Sequence, residues 1–128
     1  MKRILIGILV VLVFAQLGVE AKRELVLNES DNNKDVKVAK GELFTIMLPA
    51  QPSTGFTWEV TAVDPKILGQ YAKPIFRYSS KLMGAKGSYM LRFRALKTGE
   101  SPVQLAYRRN FEKKIAPAKT YKVVVQVQ

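Results

Sequence analysis

Residues 88–108 read SYMLRFRALKTGESPVQLAYR, and their alternation decides the architecture. Tyr89, Leu91, Phe93 and Ala95 alternate with Ser88, Met90, Arg92 and Arg94, the period of two expected of a strand with one face in a core. Val103, Leu105 and Tyr107 repeat the pattern against Gln104, Ala106 and Arg108. Between the two runs, Lys97-Thr98-Gly99-Glu100 is a tight polar turn, which predicts a hairpin. Downstream, Tyr121, Val123, Val125 and Val127 alternate with Lys122, Val124 and Gln126. Upstream, Phe44, Ile46 and Leu48 form one strand face, Trp58, Val60 and Ala62 another, and Leu25 with Leu27 opens the first strand. Asn28 to Lys34 reads as a solvated polar loop, and Asp64-Pro65-Lys66 as one helical turn. Seven or so short strands separated by turns predict an all-β fold, an immunoglobulin-like antiparallel β-sandwich.

Three connections are longer than such a sandwich requires: 49–56, 79–87 and 109–119. Strands of an antiparallel sandwich alternate in direction, so alternate connections fall at the same end. Topology therefore predicts that these three lie together, as recognition loops do in antibody variable domains.

Composition narrows the chemistry. The 128 residues contain no Cys and no His, with 21 Lys+Arg against 10 Asp+Glu. A Ser-His-Asp triad, a Cys-His dyad and a His proton shuttle each need a side chain that is missing. Transition-metal sites built on thiolate or imidazole, and disulfides, go the same way. No Ser is followed three residues later by Lys, and among the three loops only Glu112 could join a carboxylate pair. Neither an enzyme nor a cofactor or metal site is expected.

The N-terminus is expected to be a signal peptide over residues 1–21. Met1-Lys2-Arg3 is a basic n-region, Ile4 to Phe14 is apolar, and Val19-Glu20-Ala21 fits a cleavage site. The apolar run is shorter than the roughly 20 residues of a membrane span. Cleavage leaves residues 22–128 as one domain, with 19 basic and 9 acidic residues. Export to the medium, a periplasm or a lysosome-like vesicle is expected, with no membrane association afterwards. Asn28-Glu29-Ser30 is a glycosylation sequon in a eukaryotic host.

Each loop has a bland reading beside a functional one. Gln51-Pro52-Ser53-Thr54-Gly55-Phe56 is a rigid turn with little side-chain bulk, and by itself it favours a structural role. Gly84-Ala85-Lys86-Gly87 permits close backbone approach to a partner. A G-x-x-G loop clamps nucleic acid in KH domains, but there it joins helices, whereas Gly87 leads into a strand. Phosphate-cradling motifs are absent, so nucleic acid is not an expected partner. Arg109-Asn110-Phe111 sets an aromatic beside an arginine, which suits either a strand end or an interface hot spot.

Taken in order, the loops and the strands after them resemble the chagasin family of papain-like cysteine peptidase inhibitors. That family shows N-P-T-T-G-Y/F, G-x-G-G and R-P-W/F loops on an immunoglobulin-like sandwich. Here the first corresponds to Gln51 through Phe56 with Trp58 beyond it, and the second to Gly84 through Gly87 running into Phe93-Arg94-Ala95. The third corresponds to Arg109-Asn110-Phe111, followed by Pro117-Ala118-Lys119-Thr120-Tyr121. The likeness runs from about Glu42 to the C-terminus. Departures are Gln51 for Asn, Ser53 for Thr, Lys86 for Gly and Asn110 for Pro, which are expected to tune affinity or target choice.

The resemblance implies a reversible, competitive 1:1 complex with a papain-like cysteine peptidase and a monomer when free. Thr54 would lie closest to the catalytic pair. Gly84, Ala85, Lys86 and Gly87 would enter the groove, with Phe111 as apolar anchor and Arg109 as polar clamp. The competing reading is a basic adhesion or carbohydrate-binding module, which would expose aromatics on a sheet face rather than on loops at one end.

Overall fold

The computed structural model describes residues 24–79, 86–109, 111, 112 and 114–128. The expected signal peptide lies outside the described residues. Among the described residues there are nine strands: β1 (Leu25–Leu27), β2 (Asp35–Val38), β3 (Leu43–Ala50), β4 (Phe56–Val63), β5 (Leu68–Gln70), β6 (Ile75–Tyr78), β7 (Gly87–Ala95), β8 (Gly99–Arg109) and β9 (Lys119–Val127). They make two sheets. The first runs β1-β3-β7-β5, with β6 also on β7, and the second runs β2-β9-β8-β4.

The alternating apolar positions meet between the sheets. Phe44, Ile46, Leu48, Leu91 and Phe93 project from the first sheet, and Val103, Leu105, Val123 and Val125 from the second, all buried in one cluster. Phe44 and Phe93 are directly opposite in register, and their rings stack at 5.5 Å. Aromatic pairs across strands add to the burial of their area, so this pair holds the register of β3 on β7.

The immunoglobulin-like sandwich expected from the alternation is present, with differences in detail. β1 pairs with β3, and β2 with β9, in parallel. The N-terminal stretch is divided: β1 lies on the first sheet, residues 28–34 cross the edge, and β2 joins the second. The crossing segment contains a 3₁₀ turn over Glu29–Asp31, capped by Asn28 and closed by the Asp31 carboxylate. The Tyr121 hydroxyl donates to the Asn28 carbonyl at 3.0 Å and pins the crossing to β9. Burial, with the Asp31 charge adding, pushes the Tyr121 phenol up to about 12.

The expected hairpin at residues 97–100 is a crossover between sheets. β7 is already occupied on both edges, by β3 on one side and β5 and β6 on the other, while β8 lies between β4 and β9. With no free edge on β7, the chain must leave its sheet, and the Leu96 N–H donates instead to the Ile67 carbonyl at 2.8 Å. Ala62 also departs from its expected face. A β-bulge between Val60 and Ala62 sets Ala62 opposite Gln104 and Val63 opposite Val103, so Val63 packs on the core in its place. Residues 64–67 form a hydrogen-bonded turn, as expected from Asp64-Pro65.

Candidate functional site

The register of the strands brings the three long connections to one end of the sandwich. In the first sheet, Ala50 and Tyr78 both pair with Gly87. In the second, Phe56 pairs with Arg109 and Tyr107 with Lys119. The connections 51–55, 79–86 and 110–118 therefore leave from one edge of the core, as the alternation of strand directions predicts.

The first loop is folded on itself and fastened to the second sheet. Pro52–Thr54 forms a 3₁₀ turn that Gly55 ends in the left-handed region at φ 82°. The Gly55 N–H donates to the Pro52 carbonyl at 2.9 Å, and the Thr54 hydroxyl donates to the Gln51 carbonyl at 2.6 Å. A β-carbon at position 55 would be sterically accommodated, so it is the positive φ that favours glycine there. Three cross-connections hold the turn in place. The Trp58 indole donates to the Pro49 carbonyl at 3.0 Å, and the Gln51 N–H to the Tyr107 hydroxyl at 3.1 Å. The third is the Arg109 Nε–H, which donates to the Thr54 carbonyl at 3.0 Å. Pro52, Ser53, Thr54 and Gly55 are exposed, and Gln51 and Phe56 are half-buried.

Under this turn lies an aromatic stack. Tyr107 sits between Phe56, stacked at 5.3 Å, and Trp58, tilted at 4.9 Å. The stack follows from register: Trp58 is opposite Tyr107, and Phe56 is its diagonal neighbour on the same face. Trp58 itself is core, as its strand face predicts, and is 5% exposed.

Arg109 joins the first and third loops. Its guanidinium lies over the Phe56 ring at 4.7 Å and donates from Nη1 to the Glu112 carboxylate at 3.1 Å, while Nε holds Thr54. Glu112 was legible only as a lone loop carboxylate, and the structure shows it to be the partner that orients the arginine. Beyond it, Phe111 is 78% exposed and Ile115 59% exposed, with the Ala118 N–H donating to the Tyr107 carbonyl to close the loop.

In the second loop, the expected contacts Gly84 and Ala85 lie outside the described residues, as does Asn110 in the third. Lys86 is exposed, and its carbonyl accepts from both the N–H and the hydroxyl of Ser79. Gly87 belongs to the strand: a β-carbon there would sit 2.0 Å from the Arg77 carbonyl oxygen. Its lack of a side chain is demanded by β6, whatever else it touches. Tyr78 at the base of this loop, 63% exposed and edge-on to Phe76, was missed in the sequence. The alternation of Phe76 and Tyr78 beside Arg77 was the available signal, obscured by the shortness of β6.

A family model described as chagasin family peptidase inhibitor matches residues 37–125. The chain is 29% identical to Amoebiasin-1 of Entamoeba histolytica over 102 residues, which is 80% of this chain and 98% of that protein. It is 32% identical to Chagasin of Trypanosoma cruzi over 87 residues, 65% of this chain and 79% of that protein. Among solved structures, a cysteine protease inhibitor from Entamoeba histolytica superposes with a TM-score of 0.74. That match covers 82% of this chain and 96% of the other at 20% identity, which shows the shared fold. The matched family is one of inhibitors and not of enzymes. With the family model matching most of the sequence, the chain belongs to the chagasin family of cysteine peptidase inhibitors.

Proposed function

We propose that this protein is exported by its N-terminal signal and inhibits papain-like cysteine peptidases reversibly and competitively, as a monomer forming a 1:1 complex. The observation that carries this reading is the fastening of the first loop to the second sheet through Trp58, Tyr107 and Arg109 and, through Arg109, to the third loop. A loop already held in its binding shape loses little conformational entropy on docking, so a modest contact area can bind tightly.

A papain-like peptidase attacks an extended substrate with a thiolate–imidazolium pair. The first loop would cover that pair, with Thr54 nearest to it. Its backbone is coiled into a 3₁₀ turn with internal hydrogen bonds. Such a turn cannot offer an extended scissile peptide without breaking those bonds, which is why it would block the thiolate without being cleaved. The second loop, Gly84 through Gly87, would enter the groove, and the third would brace it through Phe111.

Titration of residues 22–128 into an active-site-titrated papain-like peptidase tests this. A linear fall in rate to near zero at one equivalent is the expected result. Thr54→Trp and Gly84→Glu are expected to weaken inhibition with the fold retained. Full inhibition by both variants would refute the loop assignment, and no inhibition by the folded parent at large excess would refute the functional reading.

A further inference from the structure

We propose that the cleft bounded by the first loop, Lys86 and Lys119 receives a carboxylate side chain from the rim of the target peptidase, and so selects targets with an acidic residue at that place. This inference rests on the inhibitory reading above. The cleft has a volume of about 300 Å³, with Thr54, Phe56 and Tyr107 in its wall and Lys86 and Lys119 beside them. The two lysines come from opposite sheets: Lys86 immediately precedes β7, and Lys119 opens β9. Their convergence is therefore a product of the packing, since 32 positions separate them in sequence.

No carboxylate lines this cleft. Among the described residues, the ion pairs are Lys34 with Asp31, Arg108 with Glu59 and Arg109 with Glu112, so neither lysine of the cleft is neutralised by one. Arg109, by contrast, is already engaged by Glu112 and the Thr54 carbonyl. Two cationic side chains lining one cleft with no carboxylate beside them make its potential positive, which an anion placed there would relieve. Docking against a protein would strip water from the cleft and strengthen that attraction. The Thr54 backbone and the Tyr107 hydroxyl are held in the loop fastening, so the lysines are the groups left to bind the anion.

The test uses a papain-like peptidase that the parent protein inhibits. Lys86→Glu with Lys119→Glu is compared with Lys40→Glu and Lys97→Glu, which change the net charge equally at the opposite end of the sandwich. The expected result is a rise of about tenfold or more in the inhibition constant for the first pair, together with loss of most of its salt dependence. The control pair should change it by no more than about twofold. Carbodiimide cross-linking of the parent complex should couple Lys86 or Lys119 to a peptidase carboxylate, located by mass spectrometry. Equal effects of the two pairs, or cross-links confined to other lysines, would overturn the proposal. So would loss of binding to a sulfated polysaccharide by the first pair with its inhibition constant unchanged, which would assign the cleft to polysaccharide. A parent protein that inhibits no such peptidase would instead bring down the functional reading, a result distinct from these.

Discussion

A methyl group at position 87 would sit 2.0 Å from the Arg77 carbonyl oxygen and 2.7 Å from the Phe76 ring. Backbone cannot yield as the far end of a side chain can, so Gly87→Ala must push β6 away from β7. We expect a loss of about 1–3 kcal/mol in urea unfolding, the usual range for overpacking. Unchanged stability would mean that β6 detaches without cost. Gly87 therefore has a folding reason for being glycine, whereas Gly55 has a conformational one, in its positive φ. The two glycines look alike in the sequence and are held for different reasons. Lys86, next to Gly87, is exposed and bound by neither constraint.

At the scale of elements, the third loop is coupled to the first by one guanidinium. Arg109 donates to Thr54 and Glu112 and covers Phe56, three contacts that no other residue type can make together. Arg109→Ala is expected to raise the inhibition constant by about tenfold or more, in the range of interface hot spots. Its effect on unfolding should stay within about 1 kcal/mol, because the side chain is partly exposed and its ion pair is screened. Arg109→Lys keeps the charge and loses the planar fork, so it should recover less than half of the lost affinity. Inhibition kinetics beside a urea denaturation curve separate these outcomes. An unchanged inhibition constant would show that Trp58 and Tyr107 hold the first loop by themselves.

For the whole molecule, the edge of the sandwich carries a pH-sensitive tie. The Tyr121 phenol bonds Asn28 and is pushed up to about 12, mainly by burial. Burial likewise raises Tyr89 above the ordinary tyrosine value. In the unfolded chain these phenols ionise near pH 10, so above it the unfolded state holds fewer protons than the folded one. Stability must then fall as pH rises from about 10 towards 12, and be fully present below that window. Unfolding free energies measured across that window should decline, and Tyr121→Phe should decline less steeply. An equal slope in the variant would place the linkage elsewhere.

Much of this architecture was legible without coordinates. The alternation of Tyr89 to Ala95, Val103 to Tyr107 and Tyr121 to Val127 determined the long strands and their buried faces, because a half-buried strand admits one periodicity. The grouping of the loops at one end followed from strand direction, and the family likeness from the residues within the loops. Short β2, β5 and β6 were not legible, since three or four residues cannot establish a period. The false hairpin at residues 97–100 has the same root: a turn signal reports that the chain bends, and not which edge is free. That β7 is occupied on both sides is a property of the assembled sheet. The Arg109 connection and the placing of Lys86 and Lys119 on one cleft likewise arise only when the strands and loops are assembled. Sequence alone determined what could alternate, turn and be buried; tertiary structure decided which strands met and which charges converged, because those depend on distances between segments far apart in the chain.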